Sequence, residues 1–195
     1  MGDIRWFTDT EDGHSLWYAE HFRDLAAAGS DLEGEARLVD AMVAPGSRIL
    51  DAGCGQGRTA AALVRRGHDV VGLDVDPVLL EAARSDSPGP TYIQANLATI
   101  DLRDEGLTEP FDACVMAGNV ITFVAPGTEV AVLERLRAHV RPDGFLITGF
   151  HTERMDVADF DRYALDAKWT IESRFSTWDL RPWRYDSDFA VTVLR

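Results

Sequence analysis

The stretch that decides the fold reads Ile49-Leu-Asp-Ala-Gly-Cys-Gly-Gln-Gly-Arg58. Branched apolar residues run into an acid, and glycines then follow at alternate positions: Gly53, Gly55 and Gly57. Glycine loses the most backbone freedom on ordering, so such a cluster needs a local cause. A tight turn that brings bare backbone against a ligand is one.

Outward from the turn, hydrophobic periodicity alternates between the two regular types. Residues 47–52 read as a buried strand, and 57–66 as a helix that stops at Gly67. Strand-like runs follow at 69–75, 91–95, 111–117 and 145–150. Helical patterns separate most of them: 76–85, opened by Asp76 and Pro77, and 127–140, with Val132, Leu133, Leu136 and Val140 at helical spacing. The sequence RPDG (141–144) reads as a turn before the fifth strand, and 158–167 as a further helix. Two runs with no helix between them, 169–178 and 188–194, end the chain. Strands separated by helices imply crossover units. The predicted fold is α/β: a doubly wound, mostly parallel seven-stranded sheet with a terminal antiparallel hairpin and helices on both faces.

Ahead of this core, at 47–195, lies a helical N-terminal extension, 1–46. Residues up to Asp12 show no clear period. A helix is expected over 15–28, with Tyr18, Phe22, Leu25 and Ala26 on one side and Gly29 closing it. Ser30-Asp-Leu-Glu33 matches a capping box for a second helix carrying Leu32, Ala36, Val39 and Val43, ended by Pro45-Gly46.

In open sheets of this type, ligands bind outside the carboxyl ends of the strands, near a topological switch. A helix start there is expected to present free N–H groups. Two ligand classes use such a turn. A dinucleotide is signalled by G-x-G-x-x-G, but here the third glycine comes one residue early, and Asp51 would sit beside a pyrophosphate. The other class is a ligand carrying positive charge near the turn.

The motifs resemble those of the Rossmann-like S-adenosylmethionine-dependent methyltransferases. LDAGCGQGR resembles that family's first motif, and VVGLDVDP (70–77) the second, whose acid corresponds to Asp74. QANLATIDL (94–102) resembles the third, with Asn96 where many members carry Asp. FDACVMAGNVITFV (111–124) and HVRPDGFLI (139–147) resemble the fourth-strand motif and the run into strand five. The resemblance implies roles for S-adenosylmethionine, whose product is S-adenosylhomocysteine. Gly53 and Gly55 would lie against its methionine part, and Asp51 would favour its ammonium group. Asp74 would hold the ribose hydroxyls, Val75 would pack on adenine, and Asn96 and Leu97 would meet the adenine edge and face. Ala117 would offer its carbonyl to the amino group. It also implies that the N-terminal extension covers the site. Asp76 reads better as a helix cap, and Gly57 equally well as a packing glycine.

The totals narrow the function classes. The chain has 195 residues, a net charge of −14 and 46% hydrophobic composition, which suits one domain with a sizeable core. An acidic surface disfavours nucleic acid and anionic membranes as partners. The N-terminus resembles neither a signal peptide nor, around Gly2, a myristoylation motif, so a cytoplasmic protein is expected. Cys54 and Cys114 form no CxxC pair, and Cys114 reads as core. No HExxH spacing exists, and no metal is expected. His14, His21 and His151 are candidate bases but read more simply as surface or capping residues; His68 falls on the wrong side of the sheet, and His139 near a helix end where positive charge is favoured. No catalytic residue is assigned. Aromatic residues gather near both chain ends, Trp6, Phe7, Trp17, Tyr18 and Phe22, then Trp169, Trp178, Trp183 and Tyr185; they are candidates to line an acceptor pocket, with at least half of them read as packing. The expected acceptor is a small molecule with an O, N or C nucleophile. The rival readings are a non-catalytic cosubstrate-binding protein and a nicotinamide dehydrogenase.

Overall fold

The structure, a computed structural model, describes residues 4–195; Gly2 and its neighbours lie outside the described residues. The strands are β1 (Arg48–Ala52), β2 (Asp69–Asp74), β3 (Thr91–Gln94), β4 (Phe111–Met116), β5 (Val140–His151), β6 (Ile171–Phe175) and β7 (Phe189–Leu194). They form one sheet in the order β3-β2-β1-β4-β5-β7-β6. β1 to β5 run parallel, and β7 lies antiparallel between β5 and β6. The chain therefore winds outward from β1 to β3, then returns to β4 on the other side of β1. That reversal is the switch point where a crevice opens at the strand ends.

Side chains of adjacent strand residues point to opposite faces, so both faces of the parallel strands must be apolar. Ile49, Val70, Ala113, Val115 and Ile147 pack on one face with α3 (Gly34–Met42) and α4 (Arg58–Arg65). Leu50, Val71, Leu73, Cys114 and Met116 pack on the other with α7 (Glu129–His139) and α8 (Val157–Asp166). Trp169 closes this second core. It is 2% exposed, and its indole N–H donates to the Leu133 carbonyl at 3.0 Å. Truncating such a residue to Ala costs about 3–5 kcal/mol.

Three expectations need correction. RPDG is not a separate turn but a bulge within β5. Val140 pairs with Phe111 and the next pair is Phe145 with Ala113, so three extra residues loop out of β5. Gly144 permits this, because a Cβ there would lie 2.7 Å from the Asp112 carbonyl oxygen, and Arg141 ties the loop down by pairing with Asp112. The capping box does not form, and α3 begins only at Gly34 without a side-chain cap. Asp31 instead accepts from the Glu33 N–H and holds Arg37 in a two-pronged ion pair at 2.8 and 2.6 Å. On α2 (His14–Ala27) the expected apolar side is only half realised: Tyr18, Phe22 and Leu25 are half-buried, Ala26 is exposed, and Ala19 is the buried residue. A short helix, α1 (Arg5–Thr8), precedes it where no period was visible.

Candidate active site

At the switch point the structure contains a cavity of roughly 690 Å³, counted out to its mouth. Gly53 and Gly55 supply the end of β1, Asp74 and Val75 the end of β2, Ala95, Asn96 and Leu97 the end of β3, and Ala117 and Gly118 the end of β4. The facing wall is built by Leu79 of α5 (Pro77–Asp86), by Val120 and Phe123 of α6 (Val120–Phe123), by Val124 and Ala125, and by Ile4, Trp6 and Tyr18 of the N-terminal segment. Of the eight residues singled out in the sequence for cosubstrate contact, Asp51 alone is absent from the wall.

The glycines divide by role. Gly53 adopts φ +78°, and a Cβ there would lie 2.4 Å from a Val120 methyl. Gly57 has φ +80°, and a Cβ there would strike the Tyr92 hydroxyl at 2.2 Å. It is a packing glycine, as one of its two readings held. The expectation of free N–H groups fails at four positions. Gly53 and Cys54 both donate to the Leu73 carbonyl, at 2.7 and 2.8 Å, Gly55 donates to Asp74 Oδ2 at 2.8 Å, and Gly57 donates to the Cys54 carbonyl at 2.9 Å. The end of β2 lies over the turn and occupies the Gly53, Cys54 and Gly55 donors, so they are not free for a pyrophosphate.

Asp51 sits behind the turn, 2% exposed. Burial pushes its carboxyl up to about 7, opposed by Arg58 and reinforced by Asp74, and the Ala60 N–H at the start of α4 favours its ionised form. Its Oδ2 has no hydrogen-bond partner among the described residues. Arg58 does not enter the cavity. It turns to Glu35, at 2.5 and 2.9 Å, and to the Leu32 carbonyl, with its guanidinium 5.2 Å from the Phe22 ring centre. Asp74 is held at both oxygens: Oδ1 accepts from the Asp76 N–H at 2.9 Å, and Oδ2 from Gly55. Burial raises it to about 6, with the Asp76 and Gly55 N–H groups pulling back. Each oxygen retains a lone pair for a cavity ligand.

Asp76 caps α5, its Oδ1 accepting from the Val78 N–H at 2.8 Å. Its second oxygen does more: it accepts from the Trp6 indole at 2.7 Å and from the Ser15 hydroxyl, pinning α1 and α2 over the cavity. Sequence reasoning missed this link, because a lone Trp in a segment without periodicity carries no positional signal. None of His14, His21 and His151 lines the cavity. His139 is tied to the backbone outside the cavity: its Nε2 accepts from the Leu102 N–H at 2.9 Å, and its Nδ1 faces the Arg135 carbonyl at 2.7 Å. His68 bonds Asp40 away from the site, and no group of three or more metal-ligating side chains occurs among the described residues.

Comparison with known proteins gives the same assignment. The sequence profile described as a methyltransferase domain matches residues 49–144. A TehB-like SAM-dependent methyltransferase from Corynebacterium glutamicum is 39% identical, with a TM-score of 0.87 over 94% of this chain and 98% of that one. The ribosomal protein L11 methyltransferase of Symbiobacterium thermophilum is 34% identical over 123 residues, 62% of this chain and 38% of that protein. The magnesium-protoporphyrin O-methyltransferase of Rhodobacter capsulatus is 36% identical over 91 residues, 47% of this chain and 39% of that protein. The chain thus matches less than half the length of these two curated relatives. With the sheet order, the glycine turn and the near full-length match to a solved relative all agreeing, the chain belongs to the S-adenosylmethionine-dependent methyltransferase family.

Proposed function

We propose that the chain methylates a small-molecule acceptor at an O, N or C nucleophile and releases S-adenosylhomocysteine. S-adenosylmethionine, when bound, supplies a methyl group made electrophilic by its sulfonium. The residues present fit it. The buried, unpartnered Asp51 Oδ2 suits an ammonium group reached directly or through water, and the Cβ-free edge at Gly53 and Gly55 admits the methionine part. Asp74 would accept from both ribose hydroxyls with its remaining lone pairs. Val75, Asn96 and Leu97 would enclose adenine, and the Ala117 carbonyl would face the amino group.

Small acceptors are supported by the facing wall. Ile4, Trp6, Phe123 and Val124 make it apolar, and Asp76 holds part of it closed over the cavity. The titratable side chains on the cavity wall are Asp74 and Tyr18, so no histidine is positioned there as a base. Alignment and exclusion of water then carry the rate, and well-oriented groups reach effective molarities of about 10⁵–10⁸ M. The net charge of −14 supports the same acceptor class over nucleic acid. No helix among the described residues is long and apolar enough to cross a membrane.

The carrying observation is one cavity with an acid-and-glycine wall on one side and an apolar, aromatic wall on the other. The test is transfer from methyl-labelled S-adenosylmethionine into a fractionated cell extract. Label in the small-molecule fraction is expected. Label confined to protein or RNA would reverse the acceptor class.

A further inference from the structure

A second concave surface lies away from the cavity, and a strained residue stands on its rim. On one side α3 presents Gly34, Arg37, Leu38 and Ala41, the stripe that residues three and four apart make along a helix. On the other side stand Trp178, Asp179 and Leu180, from the loop between β6 and β7. This groove and the cavity share no lining residue. Trp178 is wedged against the sheet: a Cβ on Gly149 of β5 would lie 2.5 Å from its Cζ2. Leu180 points the other way. It is 47% exposed and has φ +64°, a left-handed backbone that a bulky side chain disfavours. The loop holds it there: the Leu180 N–H donates to the Thr177 carbonyl at 3.2 Å, the Ser176 N–H donates to the Arg181 carbonyl at 2.9 Å, and Phe175 pairs with Pro182. Glycine would take this backbone without strain. What leucine adds is an apolar knob beside an apolar groove.

A knob and a groove on one face fit a second copy of that face. Copies related by a two-fold axis repeat every contact, so Leu180 of each would enter the groove of the other. Charge selects this occupant. A chain of net charge −14 repels a like copy over most of its surface. Here the charges cancel: Arg37 pairs with Asp31 at 2.8 and 2.6 Å, and Arg181 with Asp179 at 3.3 Å. A strongly basic or acidic partner finds no net charge to bind, whereas a two-fold axis can set the basic α3 wall of one copy toward the acidic loop of the other. The more exposed Leu16 and Trp17 of α2 fail this condition, because exposed Glu11, Asp12 and Glu20 flank them in the chain. We infer that the face formed by α3 and the β6–β7 loop is a self-association surface, where two copies form a two-fold dimer with Leu180 of each seated between α3 and Trp178 of the other. The inference does not rest on the cosubstrate reading.

Sedimentation equilibrium on the full chain tests it. The mass is expected to rise with concentration from 21.5 kDa toward twice that value, with a dissociation constant on the order of 10 µM, as small interfaces give. Leu180→Asp puts a charge on the knob, and Ala41→Glu fills the groove from its helical wall. Each should weaken association about tenfold or more. Leu180→Gly separates docking from folding. It removes the knob and relieves the left-handed strain, so the dilute monomer should melt at the same temperature or higher while association weakens about tenfold. Leu165→Asp, at a comparably exposed leucine on α8, should leave association unchanged. A wild-type chain that stays monomeric up to millimolar concentration overturns the inference. So does a dimer that survives Leu180→Asp and Ala41→Glu in folded form, or one that Leu165→Asp dissolves.

Discussion

The two walls of the cavity are made differently. The strand-end wall is backbone and acid: the glycine turn, Asp74 held at both oxygens, and Asp51 buried behind. The facing wall is side chain: Trp6 and Tyr18, carried on α1 and α2, which Asp76 links, with Phe123 of α6 and Val124 after it. The first wall is fixed by sheet hydrogen bonds that also hold the fold. The second can vary in side chain without disturbing them. Such a division suits a common cosubstrate on one side and a chain-specific acceptor on the other.

The sharpest way to break this comparison is Asp74→Ala. It removes a carboxylate expected to take two ribose hydroxyls, and affinity for S-adenosylhomocysteine should fall about a hundredfold or more, given the strength of hydrogen bonds to charged groups. Calorimetry on the folded variant measures it. A drop below threefold would move the ribose away from the strand-end wall. Gly53→Ala comes next, because it joins the walls. A left-handed backbone and a contact of 2.4 Å with Val120 should together cost about 2–3 kcal/mol in urea unfolding. Pairing it with Val120→Ala should restore the contact part but not the backbone part.

How much of each wall was legible follows from the same difference. Gly53 and Gly55 could be picked out because a parallel strand ends where its apolar run ends, and the turn chemistry sits at that boundary; Asp74, Val75, Asn96, Leu97 and Ala117 stand out through the resemblance of their motifs to the family's, not by pattern alone. The mostly parallel sheet and its terminal antiparallel pair were legible for the same reason; the strand order came from the structure alone. Ile4 could not be found, since α1 spans four residues and has no period to read, and Trp6 stood out only as one of the aromatics offered for an acceptor pocket. Tyr18 was read both on an apolar helix face and among the aromatics offered for a pocket, and the fold puts it on the cavity wall. The β5 bulge hid because Arg-Pro-Asp-Gly has the composition of a turn whether or not the strand continues around it.

Acid titration probes the strand-end wall alone. Asp51 and Asp74 stand at about 7 and about 6 in the folded chain, raised mainly by burial. Groups raised on folding stabilise the chain below their unfolded value, near 4, and that contribution is lost as pH climbs through 6 to 7. A cationic ligand beside Asp51 needs the ionised form. Affinity for S-adenosylhomocysteine should therefore rise as pH increases from 5.5 to about 7.5 and level off above, by up to about tenfold per pH unit for each proton released. Proton release on binding, measured in buffers of different ionisation enthalpy, should vanish above pH 8. A flat profile would separate the ammonium group from Asp51.

The smallest effect belongs to the facing wall and tests whether it is separable from the other. Trp6→Phe keeps an aromatic ring against Phe123 and Tyr18 but removes the indole donor to Asp76. Asp76 still caps α5 and still accepts from Ser15, so the global melting temperature should move little. Losing one hydrogen bond to a carboxylate corresponds to about 1.5–2 kcal/mol of local stability, enough to raise amide exchange in α1 and α2 by roughly ten- to thirtyfold. Exchange in β1 and β2 should not change. If instead the whole sheet exchanges faster, the latch on Asp76 supports the core as well as the lid, and the two walls form one cooperative unit.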